Sequence, residues 1–244
     1  MKKIALLIFM GLLAGTLWAQ DPGAAEKNAG NAAWKAKNYP EAFTNFEKYL
    51  QANGFKDKAY IYNTAVAATK AKNYQAAEKY FEMAIKNNYK IGSSYLGKAK
   101  AEEELHKNAE MIATLEAGLK AVPGNAKLEN EYGTYFLKKG MDAQKANKIE
   151  SAVENYTKVT SLNSKPLKVQ AFTALAQLYF NNGAGILQKA TPFANSDKEK
   201  YAAEKAKAET SFKKAEEYVG QLKATDPENP VVKELAAQIK AAMK

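Results

Sequence analysis

One pattern constrains this chain more than any other: a polar break, then a small residue, then an aromatic one helical turn later, returning at a fixed distance. Asn38-Tyr39-Pro40-Glu41-Ala42 is followed by Phe46, and Asn73-Tyr74-Gln75-Ala76-Ala77 by Phe81. Ala42 and Ala77 lie 35 residues apart, and the next equivalent pair, Met111 and Leu115, begins 34 residues after Ala77. Between the breaks apolar residues recur every three and four positions, as on a helix face, and alternating β-branched runs are absent. A repeat of this length holds two helices of about a dozen residues joined by a short turn. The alanine marks where the two helices of a hairpin must approach closely. The aromatic four residues later shares its face and fills the gap to the neighbouring hairpin.

The first twenty residues stand apart. Lys2 and Lys3 precede an apolar stretch from Ile4 to Leu17, and Leu17-Trp18-Ala19 offers a small residue at a cut, so residues 1–19 read as a secretory signal cleaved after Ala19. The apolar run is shorter than the roughly 20 residues a membrane-spanning helix needs. The expected product is exported, to the periplasm or the medium, with no transmembrane segment. Cysteine is absent, which excludes a disulfide framework and a lipid-modified cysteine.

The hairpin pattern resembles the tetratricopeptide repeat, whose small, aromatic and proline positions stand at fixed offsets in a 34-residue unit. Residues 23–56 carry Gly30, Tyr39, Ala42 and Phe46 on pattern, and residues 58–91 carry Ala65, Tyr74, Ala77, Phe81 and Ala84. Residues 92–125 carry Ala99, Leu115, Gly118 and the helix-ending Pro123. Residues 126–165 carry Tyr132-Gly133, Phe136, Ala152, Tyr156 and Val159, and residues 168–227 carry Leu175-Ala176, Tyr179, Ala215, Val219, Leu222 and Pro227. The resemblance implies an all-α, right-handed α-solenoid of about five antiparallel helix hairpins. Residues 228–244, opening on Asn229-Pro230 with Val231, Leu235, Ile239 and Met243 on one stripe, are expected to cap it.

The departures from the pattern are informative. Met111 to Ala152 is 41 residues, seven more than the period, and the excess is expected around Met141 to Lys148. Ala176 to Ala215 is 39 residues where the pattern has 12. This insertion is expected to be helical. Ser196-Asp197-Lys198-Glu199 reads as a capping box, and Tyr201, Ala208, Phe212, Ala215, Val219 and Leu222 follow at helical intervals. With Ile186 and Leu187 lengthening the partner helix, the fifth hairpin should be long, and self-association through it is one expectation. Asn182-Gly183-Ala184-Gly185 is read as a helix irregularity.

Chemistry-bearing motifs are scarce. The single histidine, His106, sits in a charged helix end with no cysteine or second histidine to join it as nucleophile, base or zinc ligand. Glu102, Glu103 and Glu104 are consecutive and read as a solvated face. No catalytic residue, metal site or cofactor is expected. The net charge is +10, falling to +8 once Lys2 and Lys3 are removed, and every basic residue is lysine. Without arginine the bidentate reading of bases has no donor, so specific nucleic-acid binding is not expected.

What remains is a binding face. In the family the first helix of each repeat lines a concave groove, which here implies Lys27, Asn31, Trp34 and Lys35, then Tyr62, Asn63, Val66 and Lys70. Later repeats would add Leu96, Lys100 and Glu103, then Asn130, Thr134 and Lys138, and finally Thr173, Gln177, Phe180 and Asn181. Lys27, Asn31 and Asn63 match positions that grip a terminal carboxylate in carboxylate-clamp members, although Ser93 and Gly97 stand where a complete clamp has cations. Trp34 either lines the groove or packs inside the first repeat. The expected function is a non-enzymatic scaffold holding a protein or peptide segment of acidic character. The alternative is an envelope-assembly factor whose tyrosines and asparagines hold glycan or peptidoglycan.

Overall fold

A computed structural model describes residues 22–244; the expected signal segment lies outside the described residues. Among these residues there are twelve helices and no strand. They run α1 Ala24–Lys35, α2 Tyr39–Ala52, α3 Lys58–Lys70, α4 Tyr74–Lys86, α5 Ile91–Glu104 and α6 Asn108–Ala121. There follow α7 Ala126–Lys145, α8 Ile149–Thr160, α9 Lys165–Ala190, α10 Phe193–Ser196, α11 Lys198–Thr225 and α12 Pro230–Ala242. Short turns fold α1 on α2, α3 on α4, α5 on α6 and α7 on α8 as helical hairpins, and α11 folds back on α9 through a connection that contains α10. The chain divides into two compact units, Met1–Tyr89 and Lys90–Lys244.

The polar breaks work as caps. Asn38 and Asn73 accept from the amides of Glu41 and Ala76, three residues into α2 and α4. Asp57, Asn125 and Asn229 cap α3, α7 and α12 in the same way. The preceding helices end in one shared motif. Lys37, Lys72, His106 and Asn147 adopt left-handed φ of 56–59°. The next amide then reaches back five residues, as from Asn38 to Ala33 O and from Asn73 to Ala68 O, both at 2.9 Å. A left-handed residue bearing a Cβ costs on the order of 1 kcal/mol. Each such turn accepts that cost to close a hairpin in two or three residues.

The residues that set the repeat are where the core lies. Ala42, Ala77, Leu115 and Ala152 are fully buried, and Phe46, Phe81, Met111 and Tyr156 nearly so. Phe46 meets Tyr60 of the next hairpin edge-on at 5.3 Å. Tyr80 is fully buried and donates to Glu47 Oε1 at 2.7 Å, linking α4 back to α2. Burial and that carboxylate push the Tyr80 hydroxyl pKa well above its ordinary value. Side chains of this size contribute about 1.5–3 kcal/mol each when buried.

The insertions are helix. The seven extra residues of the fourth hairpin equal about two turns, and they lengthen α7 to 20 residues. Gly140 lies under the Tyr156 ring there, at a distance no Cβ would permit. The fifth hairpin pairs α9 (26 residues) with α11 (28 residues), each about 40 Å long. α11 buries Ala208, Phe212, Ala215, Val219 and Leu222 against α9. No exposed large apolar side chain lies on this hairpin among the described residues.

Three expectations are corrected. Asn182 to Gly185 is uninterrupted helix within α9; a Cβ on Gly183 would stand 2.8 Å from the Phe212 ring, so close helix approach explains that glycine. The cap of α11 is Asp197, which accepts from Lys200 N at 3.0 Å, whereas Ser196 donates back to Pro192 O inside the short α10. Glu102 does not share the solvated face of Glu103 and Glu104. It is 1% exposed and paired with Lys98 at 3.3 Å, and Lys98 also donates to Thr114 of α6. A four-residue spacing on one helix brings Lys98 over Glu102, which is what allows the carboxylate to turn inward.

Candidate functional site

In the first unit, α1 and α3 bring four of the anticipated residues together. Asn31, Trp34, Asn63 and Val66 surround a cavity of about 160 Å³, with Phe46 of α2 also lining it. The spacing explains the convergence: 31 and 34 on α1, and 63 and 66 on α3, each differ by three and so share a helix face. The Trp34 ring meets Tyr39 edge-on at 5.3 Å, so it both packs within its hairpin and lines the cavity. Asn63 is exposed and its amide has no partner among the described residues. Asn31 is held by Tyr60, whose hydroxyl lies 2.8 Å from Nδ2 and 3.0 Å from Oδ1. The site therefore sets two primary amides beside indole, phenyl and isopropyl groups. Amides that both donate and accept suit a peptide group, and the apolar surface suits a side chain.

Lys27 is committed elsewhere. Its ammonium donates to Tyr49 OH at 3.2 Å, lies 3.8 Å from Asp57 Oδ2, and sits 4.8 Å from the ring centres of both Tyr49 and Tyr60. Tyr49 donates in turn to Asp57 at 2.9 Å. Burial first, then the Asp57 carboxylate, raises the Tyr49 hydroxyl pKa. An ammonium surrounded in this way by its own chain is poorly placed to grip a ligand carboxylate. Lys35 and Lys70 are exposed in the last turns of α1 and α3. Tyr62 is half-buried, edge-on to Phe81 at 5.8 Å and Tyr89 at 5.9 Å.

In the second unit, Glu103, Thr134 and Lys138 line a cavity of about 390 Å³ over buried Met111 and Leu115. Glu131, Tyr135, Lys139 and Asp142 complete it. Sequence reasoning missed these four, although 131, 135, 139 and 142 form a series of fours and a three that would have shown had α7 been read to its full length. Lys100 pairs with Glu131 at 3.2 Å, so it adds little net positive charge. Leu96 packs on the core around Met111, and Asn130 is exposed, its carbonyl accepting from Thr134 at 2.6 Å. Thr173 is half-buried and Gln177 exposed. Phe180 packs against Phe212 at 5.7 Å between ring centres. Asn181 lines a third cavity, at the α7–α8 turn. No cluster of acidic or histidine side chains able to hold a metal ion occurs among the described residues. No helix there is long and apolar enough to cross a membrane.

The family model of the tetratricopeptide repeat matches residues 27–90 and 137–185. A repeat protein of that family from Bacteroides fragilis, known from its crystal structure, is 45% identical. The match covers 90% of this chain and 98% of that one, with a TM-score of 0.87. The chain is a tetratricopeptide-repeat protein. Two more distant structures also match this repeat protein. The repeat domain of P58(IPK) has 11% identity and a TM-score of 0.42, covering 91% of this chain and 65% of that one. The MamA protein has 15% identity and a TM-score of 0.41, covering 84% and 94% respectively. No protein of curated function is significantly similar to it in sequence. Tetratricopeptide repeats generally mediate protein–protein interaction, and the fold typically serves as a scaffold rather than a catalyst.

Proposed function

We propose that this tetratricopeptide-repeat protein is an exported, non-enzymatic scaffold that holds a protein or peptide segment against the first helices of its repeats. The observation that carries the reading is the cavity between α1 and α3, where Asn31 and Asn63 stand beside Trp34, Phe46 and Val66. An extended segment would pair a main-chain peptide group with the Asn63 amide and insert an apolar side chain toward Phe46. Because Lys27 and Lys100 are already paired with Asp57 and Glu131, attraction to acidic partners falls to the exposed Lys35, Lys70 and Lys138. Export rests on Lys2, Lys3 and the apolar run that follows them.

The test is chemical crosslinking of the protein to its neighbours in the envelope fraction, followed by identification of the captured species. Protein purified from the same fraction is expected to begin at Gln20. A double variant, Asn63→Ala with Val66→Lys, is expected to lose at least about 90% of the captured partner, a tenfold weakening, with its helical circular dichroism and melting unchanged. Equal capture by the double variant would overturn the reading.

A further inference from the structure

The third cavity owes its existence to the two insertions. The lengthened α7 carries its turn into α8 alongside the second half of α9, and a notch of about 360 Å³ lies between them. Four primary amides line it: Gln144, Asn147, Asn181 and Asn182. Lys189 supplies a cation, and no carboxylate or aromatic ring belongs to the lining. Ile149 and Ile186 give it an apolar surface over the buried Leu178.

Following the hydrogen bonds shows what the notch offers. Gln144 Oε1 accepts from Tyr156 OH at 2.9 Å, leaving its Nε2 group to donate. Asn182 Nδ2 donates to buried Ser211 at 3.0 Å, leaving its carbonyl to accept. The side chains of Asn147, Asn181 and Lys189 have no partner among the described residues. Donors are in excess and the only formal charge is positive, which is the complement of a carboxylate.

Gly185 is the second observation. A glycine inside a helix costs about 1 kcal/mol relative to alanine, and most buried helical glycines here have a packing reason, as Gly183 has under Phe212. Gly185 has none, since a Cβ there would meet nothing within 4 Å, and the residue lines the notch. Bare backbone at such a place lets a ligand's main chain approach closely.

We propose that this notch is a second binding site, for a carboxylate-bearing peptide segment. The segment's main chain crosses the helix at Gly185 and pairs with the amides of Asn181 and Gln144. Its carboxylate is received by Lys189, and an aliphatic side chain rests on Ile149 and Ile186. The site belongs to the Lys90–Lys244 unit and does not depend on the cavity between α1 and α3. Without an aromatic ring it lacks the stacking surface that favours a sugar.

The experiment is an NMR titration of the whole chain with a capped leucyl-glutamate dipeptide, and with the leucyl-lysine counterpart as control. The glutamate probe is expected to shift the side-chain amides of Asn147 and Asn181 and the main-chain amide of Gly185, with millimolar affinity. Gly185→Phe, whose Cβ meets nothing within 4 Å and whose ring would occupy the notch, is expected to abolish these shifts, and Lys189→Ala to weaken them about tenfold. Gly220→Phe on α11 is the matched control, because Gly220 is equally open and lines none of the cavities described, and it should bind as the unaltered chain does. Three outcomes overturn the proposal: no shifts in the unaltered chain, equal shifts in Gly185→Phe, or equal binding of the lysine probe. Shifts confined to Asn63 and Val66 overturn it too, while supporting the first cavity.

Discussion

Lys165 opens α9 and reaches Asp226, the residue just after α11, at 2.9 Å, while Asn229 donates to the other carboxylate oxygen at 3.2 Å. The lysine first, and the asparagine second, hold the Asp226 carboxyl below its ordinary pKa. A carboxyl depressed in the folded state binds its proton more readily when unfolded. Its contribution is therefore present above the unfolded value, about 3.9, and is lost as pH falls through the folded one. An NMR titration of the Asp226 carboxyl carbon is expected to give a midpoint below about 3.9, moving up toward it in Lys165→Ala. An unchanged midpoint in that variant would show that the lysine does not set the shift. The pair lies at the surface, so its effect on overall stability is small. Glu102 is the opposite kind of carboxylate, buried with Lys98 and with one oxygen, Oε2, unpartnered. Three consecutive glutamates look alike in sequence, and only the helix's rotation against α6 decides which one turns inward.

Within single elements, α9 presents two glycines two residues apart that experiment should separate. Gly183 stands beneath the Phe212 ring, where a Cβ would meet ring carbons at 2.8–3.0 Å. Gly183→Ala must displace a packed ring and is expected to destabilise by about 1–3 kcal/mol. Gly185→Ala meets nothing and gains helix propensity, so it should stabilise by up to about 1 kcal/mol. Thermal melts of the two variants should move in opposite directions, and shifts of the same sign would contradict this account of α9. The glycines are visible in the sequence and read there as a helix irregularity. That reading failed because propensity is a local quantity, while the α9–α11 interface rewards the small residue at 183. The reading of α11 succeeded because it rested on side chains spaced along one face, and that spacing is itself what packing requires.

For the whole chain, the closing helix is the element whose removal is most informative. α12 buries Val232, Leu235 and Ile239 in the cluster that also contains Phe172, Val219 and Leu222. Deleting residues 229–244 exposes that surface and forfeits three aliphatic side chains worth about 1.5–3 kcal/mol each. Urea denaturation of the Lys90–Lys244 unit is expected to shift to lower denaturant, with dye binding to the uncovered apolar surface. A truncated chain of unchanged midpoint would show that α12 is dispensable.

The repeat length, the hairpin pairing, the core alanines and aromatics, and the helical nature of both insertions were determined by the sequence alone. Each follows from spacing along a helix, and a helix turns the same way whatever surrounds it. Four of the five residues lining the first cavity, Asn31, Trp34, Asn63 and Val66, are anticipated from the resemblance to the repeat family, and Phe46 is anticipated only as core. Tertiary structure decided the rest, because it depends on which faces meet. It commits Lys27 to Asp57 and two tyrosine rings, takes Phe180 into contact with Phe212, and brings the α7–α8 turn beside Asn181 and Gly185. The period that opened the reading fixes how the chain is folded into hairpins. Which of its lysines and asparagines remain available to a partner is set only when those hairpins pack.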